Sequence, residues 1–96
     1  MPDSALPAEA VPVIPRGVRL HHDHVRDGWV LLAPERTIRL DPIGLAILRQ
    51  IDGTASLGQI VAALAEAYDA APEQITGDVD AFLQGLMERR ILEVRP

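Results

Sequence analysis

Four adjacent residues, His21-His22-Asp23-His24, are the one place in this chain where side-chain types and spacing suggest metal chemistry. On a strand, His22 and His24 share a face and could grip one ion between them. Protein zinc sites take three or four ligands, and no other histidine and no cysteine exists to complete a shell. The quartet is therefore expected to be a polar strand end near a turn, with no metal. A nucleophilic site is harder still to assemble. The hydroxyls are Ser4, Thr37, Thr54, Ser56, Tyr68 and Thr76, and Ser56 is placed to cap a helix. The histidines have no evident orienting partner. Asp78 and Asp80 lie two apart on a helix, so they do not face one another and suit a solvated surface. No catalytic residue and no cofactor are expected, and the chain reads as a non-enzyme.

The totals narrow the remaining classes. Ninety-six residues, 48% of them hydrophobic, suffice for one small core. A domain of this size buries roughly 60–65% of its unfolded surface, which leaves a thin stability margin. Absence of cysteine excludes disulfides and thiolate chemistry, in keeping with the reducing cytoplasm where we expect the protein to reside. No apolar run approaches the roughly 20 residues of a membrane span. With 9 basic and 14 acidic side chains the net charge is −5, a poor match for nucleic acid or anionic lipid.

The elements follow from periodicity and punctuation. Residues 1–15 carry Pro2, Pro7, Pro12 and Pro15 and are expected to form a disordered or extended tail, or a linker, with the folded domain spanning 16–96. Alternation then predicts three strands, about Val18–Val25, Trp29–Leu32 and Thr37–Leu40. Asp27-Gly28 is a signal for a primed hairpin turn between the first two. From Asp41 the period becomes helical. Asp41 can cap a helix that has Pro42 at its first position and Ile43, Ile47, Leu48 and Ile51 on one face, ended by Asp52-Gly53. Ser56-Leu-Gly-Gln59 fits a capping box for a second helix with Ile60, Val61, Leu64 and Tyr68 inward. Pro72 starts a third, with Ile75, Val79, Phe82, Leu83 and Leu86 inward, weakened by Gly77 and Gly85. Gly85 is expected where a neighbouring backbone comes close. Ile91-Leu-Glu-Val94 is a short apolar ending, expected to be extended and to pack back on the core. The expected class is α+β: a winged-helix-like βββααα domain, its three-stranded antiparallel sheet packed on a three-helix bundle.

A winged helix raises DNA binding, and charge argues against it. From Asp41 to Arg90 there are three arginines against eight carboxylates, whereas a recognition helix should carry cations toward phosphates. Peptide binding is the physically supported alternative. An extended peptide can add to an open strand edge, with backbone bonds giving affinity and flanking pockets giving specificity. The edge would be Arg36, Thr37, Ile38, Arg39 and Leu40, and an apolar wall of Val79, Phe82, Leu83 and Leu86 would lie beside it. These four also suit an ordinary core, and a residue can serve both. On this basis Ile38→Pro is expected to remove an edge donor and weaken peptide binding.

Four runs in order, Pro15-Arg-Gly-Val-Arg-Leu20, Leu31-Leu-Ala-Pro-Glu-Arg36, Ile47-Leu-Arg-Gln-Ile-Asp-Gly53 and Asp78-Val-Asp-Ala-Phe-Leu83, resemble the PqqD family. The likeness spans Pro15 to about Leu92, with Ala33 a minor departure where a larger residue is common. The resemblance implies a RiPP recognition element with the winged-helix-like βββααα fold. It implies a peptide chaperone of pyrroloquinoline quinone biosynthesis that binds the precursor peptide PqqA and presents it to the radical SAM enzyme PqqE, which joins a glutamate and a tyrosine of that peptide. In that family the leader adds to the third strand in a groove against the third helix, here Thr37–Leu40 and the Val79, Phe82, Leu83 and Leu86 face. Fusion of some relatives to the enzyme of the pathway's last step would suit a proline-rich linker, and both monomer and homodimer are compatible. Two other functions remain open: a carrier of the quinone product, and a winged-helix DNA-binding protein.

Overall fold

In the computed structural model, which describes residues 6–95, the helices begin where local chemistry places them. Asp41 Oδ1 accepts from the Gly44 amide at 2.7 Å and Pro42 occupies the first turn of α1 (Pro42–Gln50). Both bonds of the capping box form at α2 (Leu57–Tyr68): Gln59 N donates to Ser56 Oγ, and Ser56 N donates to Gln59 Oε1. Each bond satisfies a first-turn amide that has no partner within the helix. The third helix, α3 (Pro72–Glu88), starts on its proline. Ile47, Leu48, Ile60, Leu64, Ile75, Val79, Leu83 and Leu86 from the three helices build the core, with Leu31 of the sheet and Ile91 and Leu92 beyond α3.

Among the described residues five strands are present, the expected three of the meander and two more near residues 11–13 and 93–95. In chain order they are β1 (Val11–Val13), β2 (Arg19–Asp23), β3 (Gly28–Ala33), β4 (Arg36–Arg39) and β5 (Glu93–Arg95). The expected meander forms as an antiparallel sheet ordered β2-β3-β4, and β1 pairs with β5 in a separate two-stranded sheet. Sequence reasoning placed Val25 in the first strand and the turn at Asp27-Gly28. Instead Asp23 pairs with Gly28, and residues 24–27 form a four-residue loop. Asp23 Oδ1 fixes that loop by accepting from Val25 N and Arg26 N, and Asp27 takes the positive φ of 53°. An aspartate bonding its own turn has replaced the primed dipeptide. Between β3 and β4, Pro34 and Glu35 make the tight connection, with Glu35 at φ 65°.

Over its described part the expected disordered or extended 1–15 tail is ordered and includes a paired strand, β1; residues 1–5 lie outside the described residues. Proline density argued against a ladder, yet proline is tolerated on an edge strand. Pro12, opposite Val94 in β1, is among the most deeply buried side chains, and Ala10 is also buried. Upstream, the Ala10 and Ala8 carbonyls accept from the amides of Leu57 and Gly58 at 2.8 and 2.9 Å. Leu6 N donates to Asp80 Oδ1 of α3 at 3.1 Å. So the segment lies across the start of α2 and onto α3, serving as its outer cap.

Two smaller expectations are also corrected. Gly53 has a positive φ of 87° but does not cap α1, which ends on an extended Ile51. Asp52 turns the chain instead, its Oδ1 accepting from Thr54 N, Thr54 Oγ1 and Ala55 N. No neighbouring backbone crowds Gly85; the Arg89 side chain covers it and donates to its carbonyl at 2.9 Å.

Candidate peptide-binding edge

The outer side of β4 pairs with no other strand among the described residues. Its polarity follows from one bond: Leu40 N donates to Trp29 O at 3.0 Å, in the register that sets Ile38 opposite Leu31 and Arg36 opposite Ala33. Antiparallel pairs alternate between exchanging both bonds and exchanging none. Leu40, Ile38 and Arg36 therefore direct amide and carbonyl into the sheet, and Thr37 and Arg39 direct theirs outward. This overturns Ile38→Pro as an edge test, since the Ile38 donor belongs to the β3 ladder. Side chains alternate in the same rhythm. Ile38 and Leu40 pack half-buried against the core, while Thr37 and Arg39 are exposed on the far face and Arg36 is exposed at the strand end.

The helix contributes less surface than the sequence implied. Val79, Leu83 and Leu86 are 2%, 0% and 2% exposed, so they form core and cannot be touched by a ligand. Helical spacing marks the apolar face of α3 but not how much of it other elements cover. Only Phe82 is half-buried and reaches the surface. It lines an open cleft of about 410 Å³ with Arg39, Leu40 and Asp41, directly beside the outward amides of β4. A second depression of about 280 Å³ shares Asp41 and Phe82 and adds Ile43, Gly44, Asp78 and Ala81. Gly44 makes that contact possible, because a Cβ there would sit 2.9 Å from Phe82 Cε1. Sequence reasoning missed Ile43, Gly44, Asp78 and Ala81. A glycine in the first turn of α1 and an aspartate one turn before Phe82 were the available signals. Ile43, expected inward, is 41% exposed.

The histidine quartet does not assemble a site of catalytic kind. His22 lies in β2 and His24 in the loop, their Nδ1 atoms 3.2 Å apart. His22 Nε2 is 3.5 Å from Asp27 Oδ1, and its ring lies 5.1 Å from Trp29, which Arg49 covers at 5.0 Å. Among the described residues no group of three or more His, Asp, Glu or Cys could hold a metal. The Arg26 amide, aided by that of Val25, keeps the Asp23 carboxyl below the usual carboxylate range, as befits a turn-forming acceptor. No helix among the described residues is long and apolar enough to cross a membrane.

Residues 28–92 match the family model described as Coenzyme PQQ synthesis protein D (PqqD). The chain is 43% identical over 91 residues to a PqqA binding protein of Xanthomonas oryzae pv. oryzae, covering 95% of this chain and 99% of that protein. It is 46% identical over 90 residues to the bifunctional coenzyme PQQ synthesis protein C/D of Methylorubrum extorquens. That match takes in 94% of this chain but only 24% of the relative, so the chain spans about a quarter of the bifunctional protein's length. Among solved structures, the PqqD truncation of Methylobacterium extorquens PqqCD, a stand-alone RiPP recognition element determined by solution NMR, superposes with a TM-score of 0.81 at 46% identity, covering 94% of this chain and 96% of that one. The crystal structure of PqqD from Xanthomonas campestris gives 0.59 at 43% identity, covering 92% and 98%.

Proposed function

This chain belongs to the PqqD family, and we propose that it is the RiPP recognition element that binds the precursor peptide PqqA in pyrroloquinoline quinone biosynthesis. The peptide lies antiparallel or parallel to β4 as a fourth strand of the β2-β3-β4 sheet. Its backbone bonds to the outward groups of Thr37 and Arg39, and its inward side chains enter the Phe82 cleft. Arg36 flanks the strand end, Ile38 and Leu40 hold β4 against the core, and Val79, Leu83 and Leu86 support the α3 wall from beneath. The observation that carries this reading is the juxtaposition of two outward-facing backbone donors with an open cleft lined by Phe82 and Leu40 as well as Arg39 and Asp41. Affinity from such an arrangement is sequence-tolerant along the ladder, and pockets beside it supply selectivity.

Binding orders a flexible peptide and raises its effective concentration near a partner enzyme. We place the chain as the presenter of PqqA to the radical SAM enzyme PqqE, with no catalytic step of its own. Relatives named for binding PqqA, and the fold shared with a stand-alone recognition element, support this role.

The test is an amide-resolved titration of isotope-labelled protein with the precursor peptide. Shifts should concentrate at Thr37, Arg39, Leu40, Gly44 and Phe82. Shifts confined to β2 or to Val11–Val13 would remove the proposed docking place. If the domain instead carried the quinone product, the quinone rather than the peptide would move these amides.

A further inference from the structure

The depression that continues the β4 edge is chemically lopsided. Its floor is apolar, made by Phe82, Ile43 and the Gly44 backbone, and its rim holds two carboxylates, Asp41 and Asp78. Asp78 and Phe82 stand one turn apart on α3 and so share a face. Neither aspartate forms an ion pair among the described residues. Arg39 lines the neighbouring cleft with Asp41 yet lies outside salt-bridge distance of it. Asp41 Oδ1 is engaged by the Gly44 amide, and Oδ2 takes no described bond.

A second surface meets this rim. Ile43, Ala46, Tyr68 and Asp78 line an adjoining shallow recess, and Ile43 and Tyr68 are 41% and 50% exposed. Among the described residues they are two of the three large hydrophobic side chains left exposed, the other being Val25 at the tip of the β2–β3 loop. An aliphatic surface that ends at carboxylates, with an aromatic ring lining the recess it shares with Asp78, suits one kind of side chain. Lysine and arginine lay an apolar stem on such a surface and keep a cationic head at its polar edge. A tyrosine ring gives that stem a broad apolar surface to lie on. The wider field has the same sign, since the stretch from Asp41 to Arg90 carries the whole net charge of −5.

We propose that this rim selects a lysine or arginine in the bound peptide, with its stem over Ile43 and Tyr68 and its head between Asp41 and Asp78. The inference rests on β4 being the strand-addition edge, and it names what the peptide must carry just beyond the paired segment. The cationic residue fixes the register, and so which peptide residues face the Phe82 cleft. Strand pairing alone leaves a peptide free to slip along the ladder by two residues.

Calorimetry with the synthetic precursor peptide tests it, using the full chain and the variants Asp78→Asn and Asp41→Asn/Asp78→Asn. Asparagine keeps the helix cap at position 41 while removing its charge. At low salt the double variant should bind about fivefold to tenfold more weakly and lose much of the salt dependence. Peptides in which each lysine or arginine is replaced in turn by norleucine should include one that weakens binding to the parent chain and costs nothing further in the double variant. Equal affinity of parent and double variant at low salt overturns the proposal, as does every neutralised peptide losing the same in both. The Thr37→Pro variant separates the two levels. If it weakens binding and the aspartate variants do not, the edge stands and the cation rim falls; if it binds as the parent does, the edge itself is refuted.

Discussion

Thr37→Pro should weaken peptide binding and leave the domain folded, whereas Ile38→Pro, one residue on, should damage the fold first. The Thr37 side chain is exposed and its amide faces away from β3, so a proline there removes no ladder bond. Proline at such an edge position is tolerated, and the expected stability change is within about 1 kcal/mol. For the peptide the change is larger. One backbone bond is lost, worth about 0.5–1.5 kcal/mol net. The pyrrolidine ring also projects into the roughly 4.8 Å gap an added strand would occupy, so neighbouring bonds lengthen too. Together these should weaken binding at least tenfold, or about 1.4 kcal/mol. Ile38→Pro removes a bond to Leu31 and a half-buried side chain that packs on the core. That should cost about 3 kcal/mol or more, a large share of the roughly 5–10 kcal/mol such a domain possesses. Calorimetry with the precursor peptide, paired with denaturant unfolding of both variants, separates the cases. Parental affinity in Thr37→Pro, or its unfolding, would refute the assignment of outward amides.

Gly44→Ala sets a helix-propensity gain of about 1 kcal/mol against an overpacking cost of about 1–3 kcal/mol. The new Cβ would lie 2.9 Å from Phe82 Cε1 and 3.1 Å from Asp41 Oδ1. A net loss of about 1 kcal/mol is expected by denaturation, and peptide affinity should fall because the Phe82 ring must leave its seat. Asp52 gives a pH-dependent outcome. The Ala55 amide, then the Thr54 amide and hydroxyl, hold its folded-state carboxyl below the usual carboxylate range. Its contribution is therefore present above the unfolded carboxylate range, near pH 4, and lost as pH falls through the lower folded value. Asp52→Ala should be less stable than the parent at pH 7, and denaturant midpoints should converge toward pH 3; a gap that stays constant refutes the linkage.

What could be read from the chain was what its neighbours in sequence decide. Asp41-Pro42 and Ser56 with Gln59 set their helix starts through bonds spanning three residues, so those boundaries were legible. The alternation of Thr37 to Leu40 likewise placed a strand and its buried side. Which amides face outward depends on how β4 pairs with β3, and sequence alone assigned Ile38 to the wrong side. Val79, Leu83 and Leu86 satisfied the helical period whether or not other elements covered them, and only the packed structure separates them from Phe82. The proline-rich start misled because the partner of Pro12 is Val94, across nearly the whole chain. Asp78 was equally opaque: an exposed acid on a helix gains meaning only when Ile43 and Tyr68 stand beside it.

The pairing of Val11 with Arg95 also orders events in time. The β2-β3-β4 hairpins join residues close in sequence, whereas pairing β1 with β5 must wait until residues 93–95 have been made. The landing rail of a guest strand is thus built from the local part of the chain, and the buckle from its most distant pairing. Removing β1 or β5 should spare that rail and undo the buckle.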